Sequence, residues 1–177
     1  MRKVSIFIAA SLDGYIAKPN DDLGFLKLVE KKGEDYGYTA FMDTVDTIIL
    51  GRKTYDYVVK EMGTSYYDNG TRDVYIITRT ERPQMGRTTF YTGNLTDLVQ
   101  RLKSEEGQTI FCDGGAEVIN ALLQHDLVDE WVISMIPILL GQGTQLFKDN
   151  RPEQNLELIE GKTFDTGLAQ LHYQRKR

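Results

Sequence analysis

The sequence predicts an α/β fold: a mostly parallel central sheet with helices on both faces, finished by an antiparallel C-terminal hairpin. Three observations predict it. The apolar runs at residues 3–10, 47–50, 73–77 and 110–112 show no in–out alternation, the pattern of strands covered on both faces. Segments with helical apolar spacing or a capping residue stand between them, and that alternation is the signature of parallel β–α units. The end of the chain changes character, with residues 156–164 and 168–174 flanking the turn Asp165-Thr166-Gly167.

Each element follows in order. Residues 3–10 read as an interior parallel strand, and Pro19-Asn20-Asp21-Asp22 as a loop. Residues 23–32 read as a short helix capped by Asp21 or Asp22, although Gly24 weakens it. A further helix over 34–43 would carry Tyr38, Phe41 and Met42 on one side. The strand at 47–50 runs into Gly51-Arg52-Lys53-Thr54 and a helix over 55–62. Strands at 73–77 and 88–91 follow, and Asn94 caps a helix over 95–103, with Asp97 placed to suit the helix dipole. After Ile110-Phe111-Cys112 the chain breaks at Asp113-Gly114-Gly115, and Val118, Ile119, Leu122 and Leu123 form one helical face. Residues 130–137 are another strand, and Gly141-Gln142-Gly143 turns tightly before Leu146-Phe147. The loop at 63–70, with Tyr66 and Tyr67, reads as an exposed connection rather than a cover over a site.

Composition narrows the function classes. The 177 residues suit one domain, 1–177, and 41% hydrophobic residues suit a packed core. No apolar run approaches the roughly 20 residues that cross a bilayer. The N-terminus reads as the first strand rather than a leader, because Asp13-Gly14 stands where a cleavage site would follow, and this places the chain in the cytoplasm. A net charge of −5 argues against a nucleic-acid partner. One cysteine, Cys112, permits no intrachain disulfide, and two histidines, His125 and His172, suggest no metal site. Cys112 and Trp131 read as core, His125 as a helix-end contact, and Arg175-Lys176-Arg177 as a solvated tail.

The candidate binding feature is the junction at Gly114-Gly115. Strand, paired glycines and helix start leave backbone N–H groups unpaired where no Cβ obstructs a phosphate. The junction after residues 47–50 repeats the design and adds Arg52 and Lys53. Arg79 follows a third buried strand, so all three cations should emerge on one edge of the sheet. For any one of them the competing reading is a solvated surface charge.

Four segments, in order, resemble a known superfamily. They are Ser11-Leu12-Asp13-Gly14-Tyr15-Ile16-Ala17, Ile49-Leu50-Gly51-Arg52-Lys53-Thr54-Tyr55, Asp113-Gly114-Gly115, and Pro137-Ile138-Leu139-Leu140-Gly141-Gln142-Gly143 leading to Leu146-Phe147. Together they resemble the dihydrofolate reductase-like superfamily, and within it stand-alone relatives of the reductase domain of the riboflavin-biosynthesis deaminase-reductase. The resemblance implies the dihydrofolate reductase-like fold and a reductase that passes hydride from NADPH to a small pterin- or pyrimidine-like heterocycle. The same family includes 5-amino-6-(5-phosphoribosylamino)uracil reductase. It implies that the pyrophosphate rests on Gly114, Gly115, Ala116 and Glu117, with Gly114-Gly115 a candidate cis peptide. It implies further phosphate contacts from Gly51, Arg52, Lys53 and Thr54, and an adenosine end beside Thr78 and Arg79. Three cations at equivalent strand ends agree with a 2′-phosphate, hence NADPH rather than NADH.

For the reacting end, Asp21-Asp22-Leu23-Gly24-Phe25-Leu26-Lys27 resembles the segment bearing the pterin-binding carboxylate of dihydrofolate reductase. This nominates Asp22, with helix capping as its competing role. Asp13 is the second candidate carboxylate, with an Asp-Gly turn as its competing role. Gly51-Arg52-Lys53-Thr54-Tyr55 stands where the riboflavin reductase domain carries an Ala-Asp-Asp-Pro-type segment, and is nearer the dihydrofolate reductase pattern. The resemblance also implies a homodimer. True dihydrofolate reductase activity, or a nucleotide-binding relative without reductase activity, are the alternatives.

Overall fold

The computed structural model describes residues 1–176, so Arg177 of the expected tail lies outside the described residues. One eight-stranded sheet carries the fold. Its strands in chain order are β1 (Val4–Ser11), β3 (Val45–Gly51), β4 (Asp73–Ile77), β5 (Thr88–Tyr91), β6 (Thr109–Gly114), β7 (Glu130–Ile136), β9 (Leu156–Thr163) and β10 (Ala169–Arg175). Across the sheet they run β5-β4-β3-β6-β1-β7-β10-β9. All neighbours from β5 to β7 are parallel, and β10 and β9 are added antiparallel. A separate ladder joins β2 (Tyr15–Ala17) to β8 (Thr144–Gln145).

Both faces are covered, which is why the strands read as unbroken apolar runs. Ile49, Ile110 and Cys112 point to the face packed by α3 (Leu95–Ser104) and α4 (Ala116–Gln124), against Leu98, Val99, Leu102, Ile119 and Leu122. Ile48, Leu50, Val74, Ile76 and Phe111 point to the other, with Tyr55 of α2 (Arg52–Met62) and the loop residue Tyr67. α1 (Tyr38–Met42) adds Tyr38 and Phe41 to that layer. A third cluster joins Phe25 and Val29 to Ile136 and Leu168. Asn94 caps α3 as expected, its side chain accepting the Asp97 N–H.

Several segments differ from the sequence reading. Residues 34–43 form a helix only from Tyr38, because Tyr36 (φ 55°) and Gly37 (φ 83°) are left-handed and Asp35 takes the Gly37 and Thr39 amides into a turn. Residues 23–32 make a 3₁₀ helix, Gly24–Val29, with the Asp22 carboxylate accepting the Gly24 N–H at 2.7 Å. The β2–β8 ladder lies in stretches where the sequence reading placed no strand. The 63–70 loop is no plain exposed connection, since it buries Tyr67 to 2% exposure. Arg175 is not a solvated tail residue: it belongs to β10, and its guanidinium pairs with Asp126 and Asp129. Among the described residues no helix is long and apolar enough to cross a membrane.

Candidate active site

The C-terminal ends of β4, β3 and β6 lie side by side, with Gly51 opposite Ile77 and Leu50 opposite Gly114. The segments that follow, Arg52-Lys53-Thr54, Thr78-Arg79 and Gly115-Ala116-Glu117, therefore leave the sheet along one rim. α2 and α4 both start there, from Gly51 and Gly115, and neither has a side chain capping its first amides. Two helices thus aim unsatisfied N–H groups, and the positive ends of their dipoles, at the same edge.

The glycines bring these two starts into contact. A Cβ on Gly51 would meet Val118 Cγ2 at 3.3 Å and the Gly115 nitrogen at 3.8 Å, and one on Gly115 would sit 3.0 Å from Thr54 Oγ1. Gly114 has φ 94°, a conformation costly for any side chain, and the Gly114–Gly115 peptide is cis. The rim is thus a backbone cradle with the Thr54 hydroxyl on its wall.

The charges divide into two groups. Arg52 Nη1 lies 2.5 Å from Asp56 Oδ2, one turn along α2, and Arg82 approaches the same carboxylate at 3.6 Å. One anion between two guanidiniums leaves net positive charge. Arg82 had no signal in the sequence beyond its charge, since it stands in a loop well after its strand. Lys53 and Arg79 are exposed and enter no ion pair among the described residues. The Thr78 hydroxyl accepts the Thr80 N–H at 3.1 Å and shapes its own turn. Ala116 is buried, and Glu117 is exposed and pairs with Lys148. A depression of about 550 Å³ opens beside Glu117 and Lys148, bounded by Tyr15 and the turn Gly141-Gln142-Gly143.

The carboxylates on this side have different surroundings. Asp22 is exposed, holding the Gly24 amide with Lys18 at 3.8 Å. Asp13 takes the Ser11 hydroxyl at 2.5 Å and the amides of Leu140 and Gly141 at 3.0 and 2.7 Å. The Ser11 hydrogen bond, with those amides, lowers its carboxyl to about 2. An acid held that far down carries no proton to give near neutral pH. Asp13 instead ties the turn after β1 to the turn before β8.

Sequence reasoning counted Asp113 only as part of a glycine turn. Strand alternation turns its side chain from the Cys112 face to the Phe111 face, where the Tyr67 hydroxyl donates a hydrogen bond to Oδ2. Tyr67 packs edge-on to Tyr66, whose hydroxyl lies 3.1 Å from that of Tyr38. Burial raises the Asp113 carboxyl to about 6, although the Tyr67 hydrogen bond works the other way. Burial first, and then the Asp113 charge, raise the hydroxyls of Tyr38 and Tyr67 above the usual phenol range. Burial likewise pushes the Cys112 thiol on the opposite face up to about 12, consistent with an inert core residue. On the Asp113 face, Phe7 and Ala9 of β1 are two residues apart yet belong to different apolar clusters, and both keep partial exposure. This face of β1, the strand next to Asp113, is therefore partly open to solvent. The usable signal in the sequence was an acid ending a buried strand, with a tyrosine pair in a loop otherwise rich in small polar residues.

The comparisons agree with this architecture. Residues 2–170 match the family model described as the RibD C-terminal domain. The uncharacterized protein YwjB of Bacillus subtilis (strain 168) is 38% identical over 175 residues, 98% of each chain. The crystal structure of a candidate riboflavin biosynthesis protein from Shewanella sp. PV-4 superposes with a TM-score of 0.88 at 33% identity, covering 99% of both chains. The dihydrofolate reductase of Enterococcus faecalis, complexed with NADP(H) and RAB-propyl, shares the fold at a TM-score of 0.63 and 17% identity, over 99% of this chain and 97% of its own. With its fold, its strand order and nearly its full length accounted for in this way, the chain belongs to the RibD C-terminal domain family.

Proposed function

We propose that this protein is an NADPH-dependent reductase acting on a C=N or C=O bond of a small pterin- or pyrimidine-like heterocycle. The observation that carries the reading is the rim itself, where two uncapped helix starts, a side-chain-free glycine cradle and the cations that follow β3 and β4 meet. That donor set fits a dinucleotide diphosphate with one extra phosphate. The amides of Gly114, Gly115, Ala116 and Glu117 and the Thr54 hydroxyl hold the pyrophosphate. Gly51, Arg52 and Lys53 take the neighbouring phosphate oxygens, with Thr78 and Arg79 at the adenosine end. When bound, the reduced nicotinamide supplies the hydride. The fold shared with an NADP(H)-binding dihydrofolate reductase supports the reading. The alternative of dihydrofolate reductase proper asks Asp22 to face the substrate, but its exposed carboxylate is occupied with the Gly24 amide.

Titrations of NADPH and NADH, followed by dihydronicotinamide fluorescence, test the cofactor. NADPH should bind more tightly, and Arg79→Ala should weaken NADPH about tenfold while leaving NADH nearly unchanged, the weight of one charge-assisted contact to a phosphate. Equal affinity for the two cofactors removes the 2′-phosphate assignment. NADPH oxidation measured with dihydrofolate then separates a pterin reductase from a reductase of another heterocycle.

A further inference from the structure

Asp113 is a half-buried acid whose side-chain partner is a phenol rather than a cation. It caps no helix, and among the described residues no cation pairs with it, whereas Asp46 is held by Arg2 and Asp129 by Lys103 and Arg175. Among the described residues, the titratable groups that face it are phenols, with Arg72 beyond one of them. Tyr67 and Tyr66 come from the loop after α2, and Tyr38 comes from α1. Tyr55 of α2 stacks on Tyr67 at 5.9 Å. Arg72 lies past Tyr38, its guanidinium spent on the Val45 and Met42 carbonyls at 2.9 and 2.8 Å. Asp113 is the last residue but one of β6, directly before the glycine cradle, on the strand next to the partly exposed Phe7 and Ala9 of β1.

We propose that Asp113 is the proton donor of the reduction, and that Tyr67 is the residue that positions it. The inference rests on the reductase reading above. The substrate carbon gains a hydride from the dihydronicotinamide, which is oxidised to the pyridinium. The π pair of the substrate's C=N or C=O bond takes the Asp113 proton, forming N–H or O–H. Asp113 is left as a carboxylate and regains its proton from solvent between turnovers. A general acid of this kind must hold its proton near the working pH, and burial without a cation does that for a carboxyl. The Tyr67 hydroxyl then steadies the anion that transfer leaves behind.

The test needs no knowledge of the natural substrate. NADP⁺ carries a positive ring where NADPH carries a neutral one, so a nearby carboxylate favours the oxidised form once it ionises. The ratio of NADP⁺ to NADPH affinity cancels titration of the phosphates common to both. In the wild-type protein this ratio should rise about tenfold between about pH 5 and about pH 8, with its midpoint near 6. In Asp113→Asn it should be flat. In Tyr67→Phe the midpoint should move upward, because the hydrogen bond that favours the anion is gone, a shift that loss of packing alone does not produce. A ¹³C-carboxyl titration of the unliganded protein should show the same midpoint, absent in Asp113→Asn. A flat wild-type ratio, or an unchanged slope in Asp113→Asn, overturns the role of Asp113 and leaves the reductase reading standing. Failure to bind either cofactor overturns that reading and this inference with it.

Discussion

Asp13 and Asp113 carry the same side chain into opposite surroundings, and the difference has consequences for stability as well as chemistry. Asp113 starts near 3.8 in the unfolded chain and is raised to about 6 on folding, so between those values the native state binds more protons than the unfolded one. The stabilisation from the half-buried, protonated acid is complete below pH 4 and lost as pH rises through about 6, an upper limit of about 3 kcal/mol. Urea unfolding of the wild type should show that decline, and Asp113→Asn should remove its contribution, leaving the variant at least as stable as the wild type at neutral pH. A position where the native acid lowers stability is the pattern of a group kept for function. Asp13 has the reverse sign: its carboxyl is depressed to about 2, so what it adds is present above about pH 4 and disappears as pH falls towards 2. In the sequence both residues look alike, an aspartate before a glycine. Their partners separate them: nearby Ser11 and the distant Leu140 and Gly141 amides for one, and a tyrosine from the loop after α2 for the other.

At the level of elements, the strands of the parallel sheet were legible because each is apolar on both faces and ends at a glycine or a polar turn. The strand at Asp73–Ile77 and the cap at Asn94 need only local chemistry, and the sequence contains all of it. The two short helices were legible in place but not in extent, and the second starts late because Asp35 and the left-handed Gly37 hold the backbone in a turn. The end of β10 shows the same limit in its charges. Arg175 sits in a basic triplet that resembles a solvated tail, yet antiparallel pairing with β7 brings it to Asp129 at 3.4 Å, where Lys103 Nζ lies 2.5 Å away and the Val4 amide 2.9 Å. Asp129 thus joins β1, α3 and β10, with its side chain and that of Lys103 less than a tenth exposed. Asp129→Ala would leave Lys103 buried without its anion, and should cost about 3–5 kcal/mol in chemical denaturation. Lys103→Met, which removes a charge and keeps the apolar stem, should cost less than that.

For the whole molecule, the parallel half of the sheet presents the candidate cofactor rim, while the antiparallel half ends in an uncovered edge. All eight residues of β9 are exposed, including Leu156, Leu158 and Ile159 at 41, 54 and 48%. An apolar edge strand with unpaired backbone groups is a template for another strand unless something covers it. A second copy of this chain suits the position, because an antiparallel edge can pair with itself about a two-fold axis and bury the same side chains from both partners. A homodimer built this way would lie on the flank opposite β5, away from the candidate cofactor rim. Sedimentation equilibrium should give twice the chain mass for the wild type, and Leu158→Glu with Ile159→Lys should return it to the monomer. Because both side chains are already half exposed in the single chain, the double substitution should leave its unfolding midpoint and NADPH affinity nearly unchanged. A monomeric wild type at working concentrations would instead make β9 a plain solvated edge.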